Sequence, residues 1–171
     1  MRTKDLHLYK QIHKEQKSYG DTANHHYSKI KSFILDNNPK TILDFGCGKG
    51  KLQELVSRDF EDVLIHGYDP AIEGKEEIIL SNYDMVITND VLEHLYEDEI
   101  EFIVKEILDL KPKTMHHFIC CRPAITLLPD GTNAHKTVKD EKWWLNKILS
   151  IVEKKGYLVN LNSGYHEVYL K

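Results

Sequence analysis

Apolar positions along this 171-residue chain repeat first with a helical period, then alternate between strand and helix periods. Over residues 4–18, Leu8, Tyr9 and Ile12 form a thin stripe in a run that is otherwise polar and rich in lysine. Gly20 breaks that run, and Asp21 and Thr22 can cap a second helix. The second stripe is stronger: Ala23, Tyr27, Ile30, Phe33 and Ile34 share a face, ending near Asn37-Asn38-Pro39. From Thr41 the pattern changes. Short apolar runs at Thr41–Phe45, Val63–Asp69, Asp84–Thr88 and Met115–Cys121 predict buried strands. Between them, Leu52, Leu55 and Val56 predict one helix, and Ile100, Ile103, Ile107 and Leu110 another that stops at Lys111-Pro112. Trp144, Leu145, Ile148, Leu149 and Val152 mark a last helix with Gly156 as its stop. Tyr157–Asn160 and Tyr165–Leu170 alternate around Asn162-Ser163-Gly164, which predicts a terminal antiparallel hairpin. Strands alternating with helices predict an α/β fold with a mostly parallel sheet. Only the stretch Pro70–Tyr83 separates the second and third convincing strands. Ile78-Ile79-Leu80 there is at most a stub, so the sheet should be trimmed at that edge.

The run after the first strand carries the chemistry. Asp44 is followed by Gly46, Gly48 and Gly50 at alternate positions, and then by the helical stripe of Leu52. Glycines let backbone pass close to a ligand, and amides at a helix start favour a negative group. Asp44 departs from a phosphate-binding logic and suggests a ligand that carries a cation. The dinucleotide fingerprint requires a third glycine at position 51, which is Lys51. A P-loop requires Ser or Thr after Gly-Lys, but Gly50 follows Lys49 and Leu52 follows Lys51. Asp44-x-Gly46-x-Gly48-x-Gly50 instead resembles the main signature of the class I S-adenosylmethionine (SAM) dependent methyltransferases. A second acid, Asp69, closes the second strand nineteen residues after Gly50. An acid there can accept hydrogen bonds from both ribose hydroxyls of a nucleoside.

That resemblance implies a Rossmann-like methyltransferase sandwich with N-terminal helices and SAM as cofactor, leaving as S-adenosylhomocysteine (SAH). It implies cofactor contacts from Asp44, Gly46, Cys47, Gly48, Gly50, Asp69 and Pro70, from Asn89, Asp90 and Val91 after the strand Asp84–Thr88, and from Tyr19. The chain is then one domain: residues 1–38 as a helical lid and 41–171 as the SAM-binding core. The lid expectation rests on the thin stripe of the first helix, with Tyr9, His13 and Tyr19 as contacts. The acid or amide that often contacts adenine after the family's third strand has no counterpart in the short Pro70–Tyr83 stretch.

Methyl transfer needs an aligned acceptor and, for an oxygen acceptor, a base. Asp90 and His94 are i and i+4 and could share a helix face. The loop Leu127–Lys136 holds Asp130, Asn133 and His135. Asp130 precedes Gly131 in a turn signal, and Asn133 can likewise serve the backbone. His135 has no such local use, and its near-neutral pKa suits a base. Small members of the family share a Pro-Asp-Gly-x-Asn-Ala-His loop followed by paired tryptophans, as at Pro129–His135 and Trp143-Trp144. The catalytic candidates are therefore His135, Asp90 and His94. The acceptor-side candidates are Asp130, Asn133, His135 and Trp143, which falls off the buried face of its helix.

Composition narrows the partners. A formal net charge of -4 argues against a general nucleic-acid binder, and no Pro-Pro follows Asn89 as it does in base amino-methyltransferases. There is no apolar run of membrane-span length and no apolar signal core after Met1, and three cysteines without a Cys-x-x-Cys fit a reducing cytoplasm. His25-His26 and His116-His117 diverge as neighbours, and no His-x-x-x-His pair with an acid stands out, so no metal centre is expected. The expected acceptor is a small molecule, a sugar or a glycan precursor, methylated on oxygen or nitrogen. The alternatives are a nucleic-acid methyltransferase and a catalytically silent SAM- or nucleoside-binding module that acts through a partner.

Overall fold

The computed structural model describes residues 3–152 and the strands Leu161–Gly164 and Glu167–Leu170. Strands β1 (Thr41–Phe45), β2 (Leu64–Tyr68), β3 (Met85–Asn89) and β4 (Thr114–Cys120) form a parallel set in the order β2-β1-β3-β4. Strand β6 (Glu167–Leu170) pairs antiparallel with β4, and β5 (Leu161–Gly164) pairs antiparallel with β6. The turn expected at Asn162–Gly164 falls inside β5 instead, because the pairing starts later in the chain than the alternation suggested. The expected strand at 157–160 and the stop at Gly156 lie outside the described residues.

Strand alternation sends side chains to two cores. Leu43, Phe45 and Val86 face helices α4 (Glu97–Asp109) and α5 (Glu141–Val152), where Ile103, Ile107, Trp144 and Ile148 are buried. Ile42, Met85, Ile87 and Phe118 face α2 (Tyr27–Asn37) and α3 (Lys51–Asp59), against Ile30, Ile34, Leu52 and Val56. Both faces of the parallel set are covered, as a parallel sheet requires. A polar pair inside it is joined through one ring nitrogen: Thr88 and His117 are register partners whose hydroxyl and Nδ1 lie 2.8 Å apart. Burial pushes His117 down to about 4, which keeps its ring neutral.

The sheet is trimmed as the short stretch predicts. No strand or helix forms between β2 and β3, and β2 is the sheet edge. Ile78 and Leu80 pack against the α4 core as irregular chain. Helix α1 (Leu6–Glu15) is shorter than its polar run, and its buried stripe belongs to a core separate from the two on the sheet. Its buried stripe of Leu8, Tyr9 and Ile12 meets Leu128 and Ala134 of the loop after β4. Asp21 and Thr22 do not cap α2. Ala23–His25 forms a single 3-10 turn without a side-chain cap, and α2 starts after the buried His26. No helix among the described residues is long and apolar enough to cross a membrane.

Candidate functional site

The carboxyl ends of β1, β3 and β4 open into a cavity of about 700 Å³, within the range of small-molecule sites. Its floor is the segment between β1 and α3. Gly46 and Gly48 have φ of 82° and 50°. A Cβ at Gly46 would collide with the Val91 side chain, and one at Gly48 with the Gly20 carbonyl oxygen. Two close approaches, more than the turn itself, therefore demand glycine.

Two acids flank this floor. Asp69 is buried, with Oδ2 accepting the Gly48 N–H at 2.9 Å and Oδ1 accepting the Ala71 N–H at 2.8 Å. Each carboxylate oxygen retains acceptor capacity toward the cavity. Asp44 is 2% exposed, and its Oδ2 accepts a hydrogen bond from the Gln53 amide at 3.0 Å. Burial raises Asp44 to about 7; Lys75 opposes that shift and Asp69 adds to it. The buried Cys47 thiol donates weakly to the Gly48 carbonyl at 3.5 Å, and burial pushes it up to about 12, so it stays a neutral wall. Gln53, in the first turn of α3, donates to Asp44 and has no motif signal of its own.

One side wall is the turn after β3. Asp90 has φ of 54°, a left-handed conformation that costs a non-glycine residue about 1 kcal/mol. Its N–H is held by the Phe118 carbonyl at 3.0 Å. Asn89 donates to Thr22 Oγ1 at 3.2 Å, which links this wall to the N-terminal segment. Asp90 and His94 do not share a helix face, because the segment folds as a tight turn followed by the 3-10 turn Leu92–His94. Asp90 approaches His26 Nε2 at 3.9 Å, whereas His94 donates from Nδ1 to the Ala134 carbonyl at 2.9 Å. Burial lowers His94 to about 3, so it remains neutral.

The loop after β4 continues this wall. Asn133 bonds the Ala124 backbone in both directions, donating to its carbonyl at 2.9 Å and accepting its N–H at 3.0 Å. The same Oδ1 accepts the His135 N–H at 2.9 Å. Asp130 closes an Asx turn on Thr132 at 2.9 Å and is exposed. Asn133 and Asp130 thus shape the loop, and neither lines the cavity. His135 does line it. Its Nδ1 donates to the Arg122 carbonyl at 2.6 Å, which leaves Nε2 with the lone pair. Trp143 stands edge-on to Trp144 under Lys139, away from the cavity. Gly50 and Pro70 sit behind the floor, whereas Cys47, Asn89, Val91 and Tyr19 line the cavity.

Glu93 was not among the residues singled out from the sequence. It is fully buried, and burial, with Asp90 adding to it, raises its carboxyl to about 8. Oε1 accepts the Cys120 N–H at 2.8 Å, while Oε2 has no partner. Its backbone carbonyl accepts the N–H groups of Lys136 and Thr137, at 2.8 and 3.0 Å, which pins the loop beside it. Sequence spacing could not have paired Glu93 with Cys120 and His135, which arrive from a strand end and a loop.

The N-terminal segment roofs the cavity. Lys49 donates to the carbonyls of Gln16 and Lys17, at 2.7 and 2.6 Å. Tyr9 Oη lies 2.8 Å from the Ala134 carbonyl and 3.1 Å from that of His94. Tyr9, His13 and Tyr19 all line the cavity.

No family model and no curated protein sequence matches this chain. Solved structures do. The methyltransferase domain of bacterial CtHen1-C superposes with a TM-score of 0.65 at 17% identity, covering 84% of this chain and 93% of that one. An O-methyltransferase family protein from Burkholderia thailandensis gives 0.61 at 14% identity, covering 90% of this chain but only 57% of that one. The plantazolicin methyltransferase BpumL, solved in complex with SAH, gives 0.61 at 13% identity, covering 93% and 79%. At these identities the likeness establishes the fold: an α/β sandwich of the kind found in SAM-dependent methyltransferases.

Proposed function

We propose that the protein binds SAM on its glycine floor and transfers the methyl group to a small-molecule, sugar or glycan-precursor acceptor on oxygen or nitrogen. The observation that carries this reading is the pair of buried acids, Asp44 and Asp69, on either side of a glycine turn that floors a cavity of about 700 Å³. The fit is physical. Asp44 is a buried carboxyl that a ligand ammonium would hold in its charged form. Asp69 is held by two backbone amides and offers its remaining lone pairs to a ribose diol. Cys47, Asn89, Val91 and Tyr19 line the same chamber. The likeness to methyltransferases solved with SAH supports the assignment.

Bound SAM supplies a methyl group that its sulfonium already activates. The protein's part is to align the acceptor and exclude water. His135 is the acceptor-side residue in this reading, since it lines the cavity with Nε2 uncommitted. His94 is a positioning residue, tied through Nδ1 to the loop that carries His135. Residues 3–20 act as the lid, anchored by Tyr9 and Lys49, whereas α2 belongs to the layer that covers the sheet. The net charge of -4 favours a small acceptor over nucleic acid, and the cysteine content favours the cytoplasm.

Calorimetry with SAH tests the central claim. Binding is expected, and its absence in the wild type would reject the donor assignment. Hydrogen exchange with and without SAH tests the lid: residues 5–20 should gain protection on binding, and equal protection in both states would count against closure.

A further inference from the structure

We propose that Glu93, Cys120 and His135 form a binding site for a divalent, zinc-class metal ion on the acceptor side of the cavity. A carboxylate oxygen, the thiol sulfur and an imidazole nitrogen from these three residues all lie within 4.8 Å of one another. Ligand atoms around a tetrahedral zinc stand roughly 3.4–3.7 Å apart, given bond lengths of about 2.0–2.3 Å.

A second, independent observation points to a ligand. Glu93 is fully buried and its Oε2 has no hydrogen-bond partner. A buried carboxyl oxygen without a partner is costly and calls for a cause, of which a bound ion is one. The surrounding bonds match those that orient metal ligands. His135 donates Nδ1–H to the Arg122 carbonyl at 2.6 Å, which turns the bare Nε2 away from the backbone. Glu93 is steadied through Oε1 by the Cys120 N–H at 2.8 Å, so two of the three ligands are coupled directly. Asn133 sets the His135 backbone at 2.9 Å.

The donor set selects the ion. One sulfur, one nitrogen and one oxygen suit a borderline-soft cation and disfavour magnesium or calcium, which take oxygen ligands. A thiolate and a carboxylate together balance a charge of two. Three protein ligands leave a fourth position, and Cys120 and His135 both line the cavity, so that position opens toward the acceptor. On the methyl-transfer reading, the ion would hold the acceptor heteroatom and favour its deprotonated form. His135 would then serve as a ligand. The site itself does not depend on that reading.

Cobalt is the probe. The full-length protein, treated with chelator and freed of it, is titrated with Co²⁺ in the absence of SAM or SAH. We expect one equivalent to bind with a near-ultraviolet thiolate-to-cobalt charge-transfer band that Zn²⁺ then abolishes. Cys120→Ser should remove the band, and Cys121→Ser should keep it, because Cys121 points its sulfur toward the Ile119 carbonyl at 4.0 Å. Glu93→Gln should weaken Co²⁺ binding at least tenfold. If that buried substitution unfolds the protein, Cys120→Ser decides alone, with its SAH binding as the check on folding. Cobalt bound without a thiolate band would mean surface histidines only and would overturn the proposal, as would a band that survives Cys120→Ser. Because SAH is measured separately, failure here and failure of the donor site are distinguishable.

Discussion

The floor and the wall of the cavity are built by opposite rules. The floor is local: Asp44, Gly46 and Gly48 lie within one strand-turn-helix, with Asp69 just past the neighbouring strand β2. Its polar atoms are held by backbone amides and by Gln53. The wall is assembled from the turn after β3, the end of β4 and a loop. It retains a carboxylate oxygen with no partner. A local site is fixed once its segment folds. A composite one exists only when the tertiary structure is complete, and there a loose polar atom signals a ligand better than any motif. If the comparison is right, substitutions should separate: floor changes move cofactor affinity, and wall changes move turnover.

The largest expected effect is on the wall. His135→Ala should lower turnover by about 10²-fold or more while SAH affinity stays nearly constant. A histidine that only packed the loop would instead lower thermal stability and leave turnover near wild type. Equal losses in turnover and SAH affinity would erase the distinction between the two regions.

The floor should respond the other way. Asp69→Ala should weaken SAH binding by about 1–3 kcal/mol, the scale of a charge-assisted hydrogen bond, measured by calorimetry. Asp69 also holds the Gly48 N–H, so Asp69→Asn is the gentler companion, and it should give a smaller loss in the same direction. Unchanged affinity in both would remove the ribose role.

The same division explains what could be read beforehand. The strands, the glycine turn, Asp44 and Asp69 were legible because each depends on residues close in sequence. Even the trimmed sheet edge was visible, as a stretch too short for another strand and helix. Glu93 was not. Its neighbours Asp90 and His94 suggested a helix face, and the 3-10 turn that separates them depends on contacts with β4 and the loop. Asp130 and Asn133 were legible as turn residues, and the structure uses them so. Trp143 was misjudged because facing away from a buried helix face does not mean facing the cavity.

A pH series sharpens the floor. Burial raises Asp44 to about 7, and only its ionised form attracts an ammonium. For an acid raised on folding, the stabilising contribution is present at low pH and is lost as pH rises through about 7. A bound cation offsets that loss. SAH affinity should therefore rise between about pH 6 and pH 8, by no more than about tenfold per unit, and Asp44→Asn should flatten the slope. A pH-independent affinity in the wild type would show that the ammonium binds elsewhere.

The smallest effect tests how the roof joins the wall. Tyr9 is buried, and burial raises its hydroxyl well above the usual range, so at neutral pH it stays protonated and can donate. Its oxygen stands 2.8 Å from the Ala134 carbonyl, which also accepts from His94 at 2.9 Å. Tyr9→Phe keeps the ring that packs edge-on to His94 at 5.5 Å and removes only the hydrogen bond. The expected cost is about 0.5–1.5 kcal/mol of stability by denaturant unfolding, since the remaining acceptor still has His94. Because Ala134 adjoins His135, the loop should loosen and turnover should fall a few-fold, with SAH affinity nearly constant. A selective loss of SAH affinity would instead tie α1 to the floor. The lid would then close on the cofactor through Lys49 and the Gly20 approach, and the wall would fold without it.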